Sequence, residues 1–220
     1  MMRFLPALAV LLSCLVSAAA SPEGDEDRKT VVCFGDSITK RGYPEILGET
    51  LGVNAVMAGV AGHSSAAGLR RMKKDVLDQE PDVVVVFFGT NDARVDAPRV
   101  HVPVKQYQAN LEKIVDACRE IGAKVVVCTL PPIDEKIYYT RHESDLYEAA
   151  GGIPKLWQSY RQAAIQVAKG HNLTLVDLNQ ELESEPGWLS KDGVHPSPAG
   201  TRKIAALISA AVKPLIEEES

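Results

Sequence analysis

Cysteine, aromatic residues and unbalanced positive charge are all scarce in this chain. Its 220 residues include 4 Cys, 4 Phe, 2 Trp and 6 Tyr. So few cysteines exclude a small scaffold framed by disulfides. No C-x-x-C or clustered His/Cys spacing points to a metal, and neither metal nor cofactor is expected. Lys and Arg number 24 against 29 Asp and Glu, a formal net charge of −5. That balance lacks the basic footprint that nucleic acid or an anionic membrane selects. Neither G-x-G-x-x-G nor a P-loop follows the first apolar strand-like run, which argues against the nucleotide-binding folds.

The longest apolar run lies at the N-terminus. Met1-Met2-Arg3 supplies a positive start, Phe4 to Val16 is almost unbroken apolar, and Ser17-Ala18-Ala19-Ala20 is small and precedes a polar stretch. This order reads as a secretory signal peptide over residues 1–20, cleaved after Ala20, so that the protein is secreted or periplasmic. The run is shorter than the roughly 20 residues of a membrane-spanning helix, which argues against an uncleaved anchor. Leu11-Leu12-Ser13-Cys14 loosely resembles a bacterial lipoprotein signal, but the apolar residues beyond Cys14 argue against lipid attachment there. Residues 21–29 then read as a flexible polar segment, followed by one domain over 30–216. Cys33 and Cys128 lie in apolar runs as small core residues. Whether Cys118 and Cys128 pair stays open, as does the oligomeric state. Asn172-Leu173-Thr174 is a glycosylation sequon, relevant only in a glycosylating secretory pathway.

Five apolar runs punctuate the chain: Val31–Phe34, Val53–Met57, Val83–Phe88, Lys124–Leu130 and Leu173–Leu178. The third shows no alternation, as expected of a central parallel strand covered on both faces. Helical spacing separates the runs. In Val104–Ile121, Tyr107, Leu111, Ile114, Val115 and Cys118 share one face. Ser197-Pro198 opens a last helix, Ser as cap and Pro at the first position, with Ile204, Leu207, Ile208 and Ala211 inward. Strand and helix in alternation predict an α/β fold, a parallel sheet with helices on both faces. Such sheets bind ligands beyond the carboxyl ends of their strands. Segment 131–154, with Tyr138, Tyr139, Arg141, His142 and Tyr147, reads as a lid or binding loop, or equally as a surface excursion with a short helix around 144–150.

Polar clusters sit where that rule asks for them. Gly35-Asp36-Ser37 follows the first run, presenting a hydroxyl beside a helix N-terminus whose N–H groups favour developing negative charge. Ala58-Gly59-Val60-Ala61-Gly62-His63-Ser64 follows the second, where glycine lets backbone approach a ligand. Gly89-Thr90-Asn91-Asp92 follows the third, and a side-chain amide there can hold an oxyanion. Asp192-Gly193-Val194-His195-Pro196 precedes the last helix. Asp and His three apart let the carboxylate meet Nδ1–H and leave Nε2 free to take a hydroxyl proton. Taken singly, each cluster has a plain structural reading as a turn or helix cap.

In combination the four resemble the SGNH hydrolase superfamily, the GDSL-type lipases and esterases, with Ser37, Gly62, Asn91 and His195 matching the named residues in order from about 31 to 210. The resemblance implies a flavodoxin-like three-layer α/β/α sandwich with a five-stranded parallel sheet. It implies a serine ester hydrolase in which Ser37 attacks, His195 takes the proton and Asp192 orients His195. Ser37 N–H, Gly62 N–H and the Asn91 side chain would form the oxyanion hole, Gly59 N–H being the weaker alternative donor. His63, Tyr138 and Tyr139 are candidate substrate contacts. Where many relatives carry Asn shortly before the second block's glycine, this chain has Met57 or Ala58, so hydrogen bonding around the Gly62 loop is expected to differ. The substrate is a small-molecule or carbohydrate ester, with deacetylation of sugars set against cleavage of short-to-medium acyl esters, thioesters or lysophospholipids. A non-catalytic carbohydrate-binding module on the same scaffold is the reading from another class.

Overall fold

A computed structural model describes residues 28–217. The expected signal peptide, Cys14 and most of the polar 21–29 segment therefore lie outside the described residues. The apolar runs form β1 (Thr30–Gly35), β2 (Asn54–Gly59), β3 (Val83–Phe87), β4 (Lys124–Cys128) and β5 (Thr174–Val176). All pair in parallel, in the order β2-β1-β3-β4-β5. Nine α-helices connect them among the described residues: α1 (Ser37–Lys40), α2 (Tyr43–Leu51), α3 (Ser65–Asp75), α4 (Val104–Glu120), α5 (Glu135–Tyr138), α6 (Ser144–Ala149), α7 (Ile153–Gly170), α8 (Leu178–Glu183) and α9 (Pro198–Glu217).

The period-2 geometry of the strands explains why β1, β3 and β4 are apolar without alternation. Val32, Phe34, Val84, Val86, Val125 and Val127 face a core shared with α3, α4 and α7. Val31, Cys33, Val83, Val85, Phe87, Val126 and Cys128 face the opposite core, shared with α1, α2, α8 and α9. Each such Val or Phe contributes roughly 1.5–3 kcal/mol by leaving water, an upper estimate because the unfolded chain is already partly collapsed. Cys118 of α4 packs in the first layer and Cys128 in the second. The sheet thus separates them, and Cys33, Cys118 and Cys128 are all buried free thiols.

Two expectations shift in detail. The fifth run yields only three strand residues, because Arg161 Nε and Thr129 Oγ1 donate to Asp177, both at 2.9 Å, and the chain turns into α8 there. On α9 the buried stripe is Ile204, Ala205, Ile208 and Val212, with Leu207 and Ala211 only partly buried at its margin. Ser197 does cap that helix, its Oγ accepting from Gly200 N at 3.1 Å. No helix among the described residues is long and apolar enough to cross a membrane.

Candidate active site

β1 and β3 are neighbours in the sheet but their connections leave in opposite directions, toward β2 and toward β4, so a crevice opens beyond their carboxyl ends. β1 runs into α1 without a loop. Gly35 permits this, since a Cβ there would lie 2.2 Å from Thr39 Oγ1 and 2.6 Å from Phe87 O. Asp36 caps α1 by accepting from Ile38 N at 2.9 Å, and Ser37 is the first helical residue. Its Oγ lies 2.9 Å from His195 Nε2. His195 Nδ1 lies 2.7 Å from Asp192 Oδ2. With Asp192 ionised, the proton of a neutral imidazole sits on Nδ1, and Nε2 accepts from the serine hydroxyl.

Asp192 is held as firmly as it holds. Its Oδ1 accepts from Ser190 Oγ at 2.9 Å, Val194 N at 3.0 Å and His195 N at 2.9 Å. Desolvation pushes the carboxyl up, but the hydrogen bonds from His195, Val194 and Ser190 outweigh it and keep it well below the usual carboxylate range. The loop itself closes through Ser190 N to His195 O at 2.8 Å and Ser197 N to Trp188 O at 2.7 Å. It leans on the chain before α5 through Asp134 N to Gly193 O at 2.9 Å.

Opposite this dyad, Gly62 adopts a φ of +76°, a left-handed conformation that glycine takes without strain, and a Cβ added there would meet nothing within 4 Å. Asn91 Nδ2 donates to Asp36 Oδ2 at 3.0 Å. Desolvation raises the Asp36 carboxyl to about 7, Asp92 adding to the rise while Ile38 and Asn91 oppose it. Asp92, fully buried, accepts from Ser65 N at 3.0 Å on both oxygens and so fixes the start of α3, just beyond Gly62. Asn110 Nδ2 extends this chain to Ser65 Oγ at 2.9 Å. The carboxyl of Asp92, too, is raised by desolvation, to about 6.

At the carboxyl ends of β1 and β2, beside the Gly62 loop, Arg71 of α3 supplies hydrogen bonding. It donates to Ala58 O at 2.9 Å and Gly35 O at 2.7 Å, while its guanidinium carbon stands 4.6 Å from the Phe34 ring centroid. It thereby ties the ends of β1 and β2 together. Arg71 Nε also donates to His63 Nδ1 at 3.2 Å.

Ser37, Gly62, Asn91 and His195 line one cavity of about 400 Å³ with Ala61, Thr90, Arg94, Tyr138, Arg141, His142 and Val194. Of the three candidate substrate contacts, only Tyr138 is there. His63 is absent from the lining and bound to Arg71 instead. Tyr139 is absent as well: it caps the end of the short α5, one residue beyond Tyr138, and its hydroxyl donates to Glu148 at 3.3 Å. Gly59 is a strand residue packed against α1, where a Cβ would lie 2.6 Å from Lys40 N, and it does not line the cavity.

Arg94 and Asp96 escape sequence reasoning. Arg94 donates to Asp96 through Nε at 3.3 Å and Nη2 at 3.0 Å. The same carboxylate accepts from Tyr147 Oη at 2.6 Å and pairs with His142 Nδ1 at 2.7 Å. Desolvation raises the Asp96 carboxyl, but bonds from Arg94, Tyr147 and His142 outweigh it and hold it well below the usual range. His142 stacks on Tyr138 with centroids 3.8 Å apart. Segment 131–154 is therefore a wall of the cavity, pinned to the loop after β3. Among the described residues, no group of three or more His, Cys, Asp or Glu is placed to hold a metal ion.

The chain is similar to known proteins over most of its length. An uncharacterized lipoprotein, YqeF, of Bacillus subtilis is 28% identical over 89% of this chain and 93% of its own. The crystal structure of the lipase/acylhydrolase from Enterococcus faecalis superposes with a TM-score of 0.73 at 28% identity, over 87% of this chain and 99% of that one. An acetyl xylan esterase, AlAXEase, superposes with a TM-score of 0.67 at 28% identity, over 83% and 99%. The sequence profile of the GDSL-like Lipase/Acylhydrolase family matches residues 33–203, and the chain belongs to that family of ester hydrolases.

Proposed function

We propose that this protein hydrolyses short acyl esters through an acyl-enzyme on Ser37, and that its substrates are acetylated saccharides met outside the cytoplasm. The observation that carries the reading is the hydrogen-bonded chain Ser37–His195–Asp192, at 2.9 and 2.7 Å, opening on the cavity. Ser37 Oγ attacks the ester carbonyl while its proton passes to His195 Nε2. The resulting oxyanion takes hydrogen bonds from Ser37 N–H, Gly62 N–H and Asn91 Nδ2. Collapse breaks the bond to the alcohol, which leaves with the proton from His195. Water, deprotonated by His195, then attacks the acyl-enzyme, and acetate and free Ser37 result.

The lining favours a small acyl group. Only Ala61 and Val194 are aliphatic there, whereas a long acyl chain needs an apolar channel. The acetyl xylan esterase among the similar structures supports the same choice. Residues 1–20 and the lipoprotein name of the Bacillus relative support export. The test is hydrolysis of p-nitrophenyl acetate, butyrate and octanoate beside Ser37→Ala. Acetate turned over fastest, with activity lost in the variant, is the expected result. Equal activity in both proteins refutes the nucleophile, and preference for octanoate refutes the acetyl reading.

A further inference from the structure

The charges around the cavity are unevenly placed. Arg94 and Arg141 line it, beside the imidazoles of His142 and His195, and no carboxylate does. The acids nearby are engaged behind that surface, Asp36 by Asn91 and Ile38 N among them. Asp96 holds Arg94, His142 and Tyr147. Asp192 holds His195, Ser190 and two backbone N–H groups, with Arg41 Nη2 a further 3.8 Å from its Oδ2. Arg94 uses Nε and Nη2 on Asp96, which fixes the plane of the guanidinium and leaves Nη1 outside the pair. Arg141 Nη2 donates to the main-chain oxygen of Asp192, a neutral acceptor rather than a carboxylate.

Two guanidiniums therefore face the reacting cavity of a chain whose net charge is −5. Asp96 and Asp192 balance charge behind that surface, so recognition rests on the directed N–H groups at the lining rather than on a long-range field. A planar guanidinium is the group best matched to a carboxylate. We infer that the cavity recognises a carboxylate on the substrate, and that Arg94 and Arg141 are specificity-determining residues for it. This rests on the acetylesterase reading above. An acetyl group has no place for a second charge, so the carboxylate belongs to the alcohol. The substrate class is an O-acetylated acidic saccharide of the uronic-acid type.

The experiment compares kcat/KM for methyl O-acetylglucuronoside and methyl O-acetylglucoside, identical except for the carboxylate, with p-nitrophenyl acetate alongside. The glucuronoside is expected to be favoured about tenfold, chiefly through KM, the scale of one charged hydrogen bond. Raising the salt should narrow the preference. Arg94→Gln and, at the exposed rim, Arg141→Gln should each bring the ratio toward one. Arg141→Gln removes no ion pair, so it reads out specificity even if loss of the Asp96 pair disturbs folding of the other variant. A wild-type ratio at or below one, or a ratio unmoved in the folded variants, overturns the inference. So does refusal of both sugars while p-nitrophenyl acetate is hydrolysed, an outcome that leaves the esterase reading standing. Failure to hydrolyse p-nitrophenyl acetate as well removes that reading, and this inference with it.

Discussion

Asn91 gives one amide hydrogen to Asp36, the residue immediately before Ser37, at 3.0 Å. The amide that would meet the oxyanion is thus aimed by the same carboxylate that caps the nucleophile's helix. Asn91→Ala should remove a donor and lower kcat by about 10²–10³ while leaving a folded protein. Steady-state kinetics with circular dichroism check this, and near-normal turnover would count against the assignment.

Asp36→Asn should make the protein less active yet relatively more stable as pH rises. One of the two hydrogen bonds at that side chain is lost, which predicts a fall in kcat of roughly tenfold to a hundredfold, less than loss of the donor itself. Burial raises the folded carboxyl from 3.8 to about 7. Its stabilising contribution is therefore complete below 3.8 and lost as pH climbs to about 7. Melting temperatures of wild type and variant should diverge in the variant's favour across that window. Parallel curves would refute the prediction.

For Asp192→Asn the fall in kcat should reach about 10³–10⁴, because an amide cannot fix the imidazole with its proton on Nδ1. KM should change far less. An effect confined to a rise in KM would show that Asp192 acts on binding rather than on the histidine.

Asp96→Asn should cost about 1–3 kcal/mol of stability by uncoupling Arg94, His142 and Tyr147, measurable by urea unfolding. The depressed carboxyl predicts the sign of the pH effect. The contribution of Asp96 is present above the ordinary value of 3.8 and fades as pH falls below it. The gap between wild type and variant should narrow in acid, and a constant gap would argue that the carboxylate charge is irrelevant.

Gly59→Ala and Gly62→Ala should separate folding from function. A Cβ at Gly59 meets Lys40 N at 2.6 Å and Asp36 O at 2.8 Å, both backbone, so β2 or α1 must move. A Cβ at Gly62 meets open space, and only its φ of +76° is strained, by about 1–2 kcal/mol. Thermal melting should place Gly59→Ala well below Gly62→Ala. The reverse order would be inconsistent with this packing.

What the sequence made legible follows from what is locally encoded. Val83-Val84-Val85-Val86-Phe87 announces a strand because burial on both faces leaves no polar position. Ser37, Gly62, Asn91 and His195 stand out only in combination, through the resemblance of their four motifs to the SGNH hydrolases, since each alone reads as a turn or helix cap. Arg71, Arg94 and Asp96 were illegible for the opposite reason. A charged residue on a helix or loop looks like solvated surface until topology supplies its partners. Arg71 acquires its role from carbonyls at residues 35 and 58. Asp96 acquires its role from Tyr147, 51 positions away. Likewise, two adjacent tyrosines read alike in sequence, and only the structure separates them, Tyr138 lining the cavity and Tyr139 capping α5.

Ser37 and His195 are separated by 158 positions in sequence. In a chain made from its N-terminus, the serine emerges early and stays chemically inert until nearly the whole sheet and the loop before α9 have followed. Half-made or clipped molecules would carry the nucleophile without its base. Under the proposed mechanism, turnover would therefore report that residues 158 positions apart have been brought together.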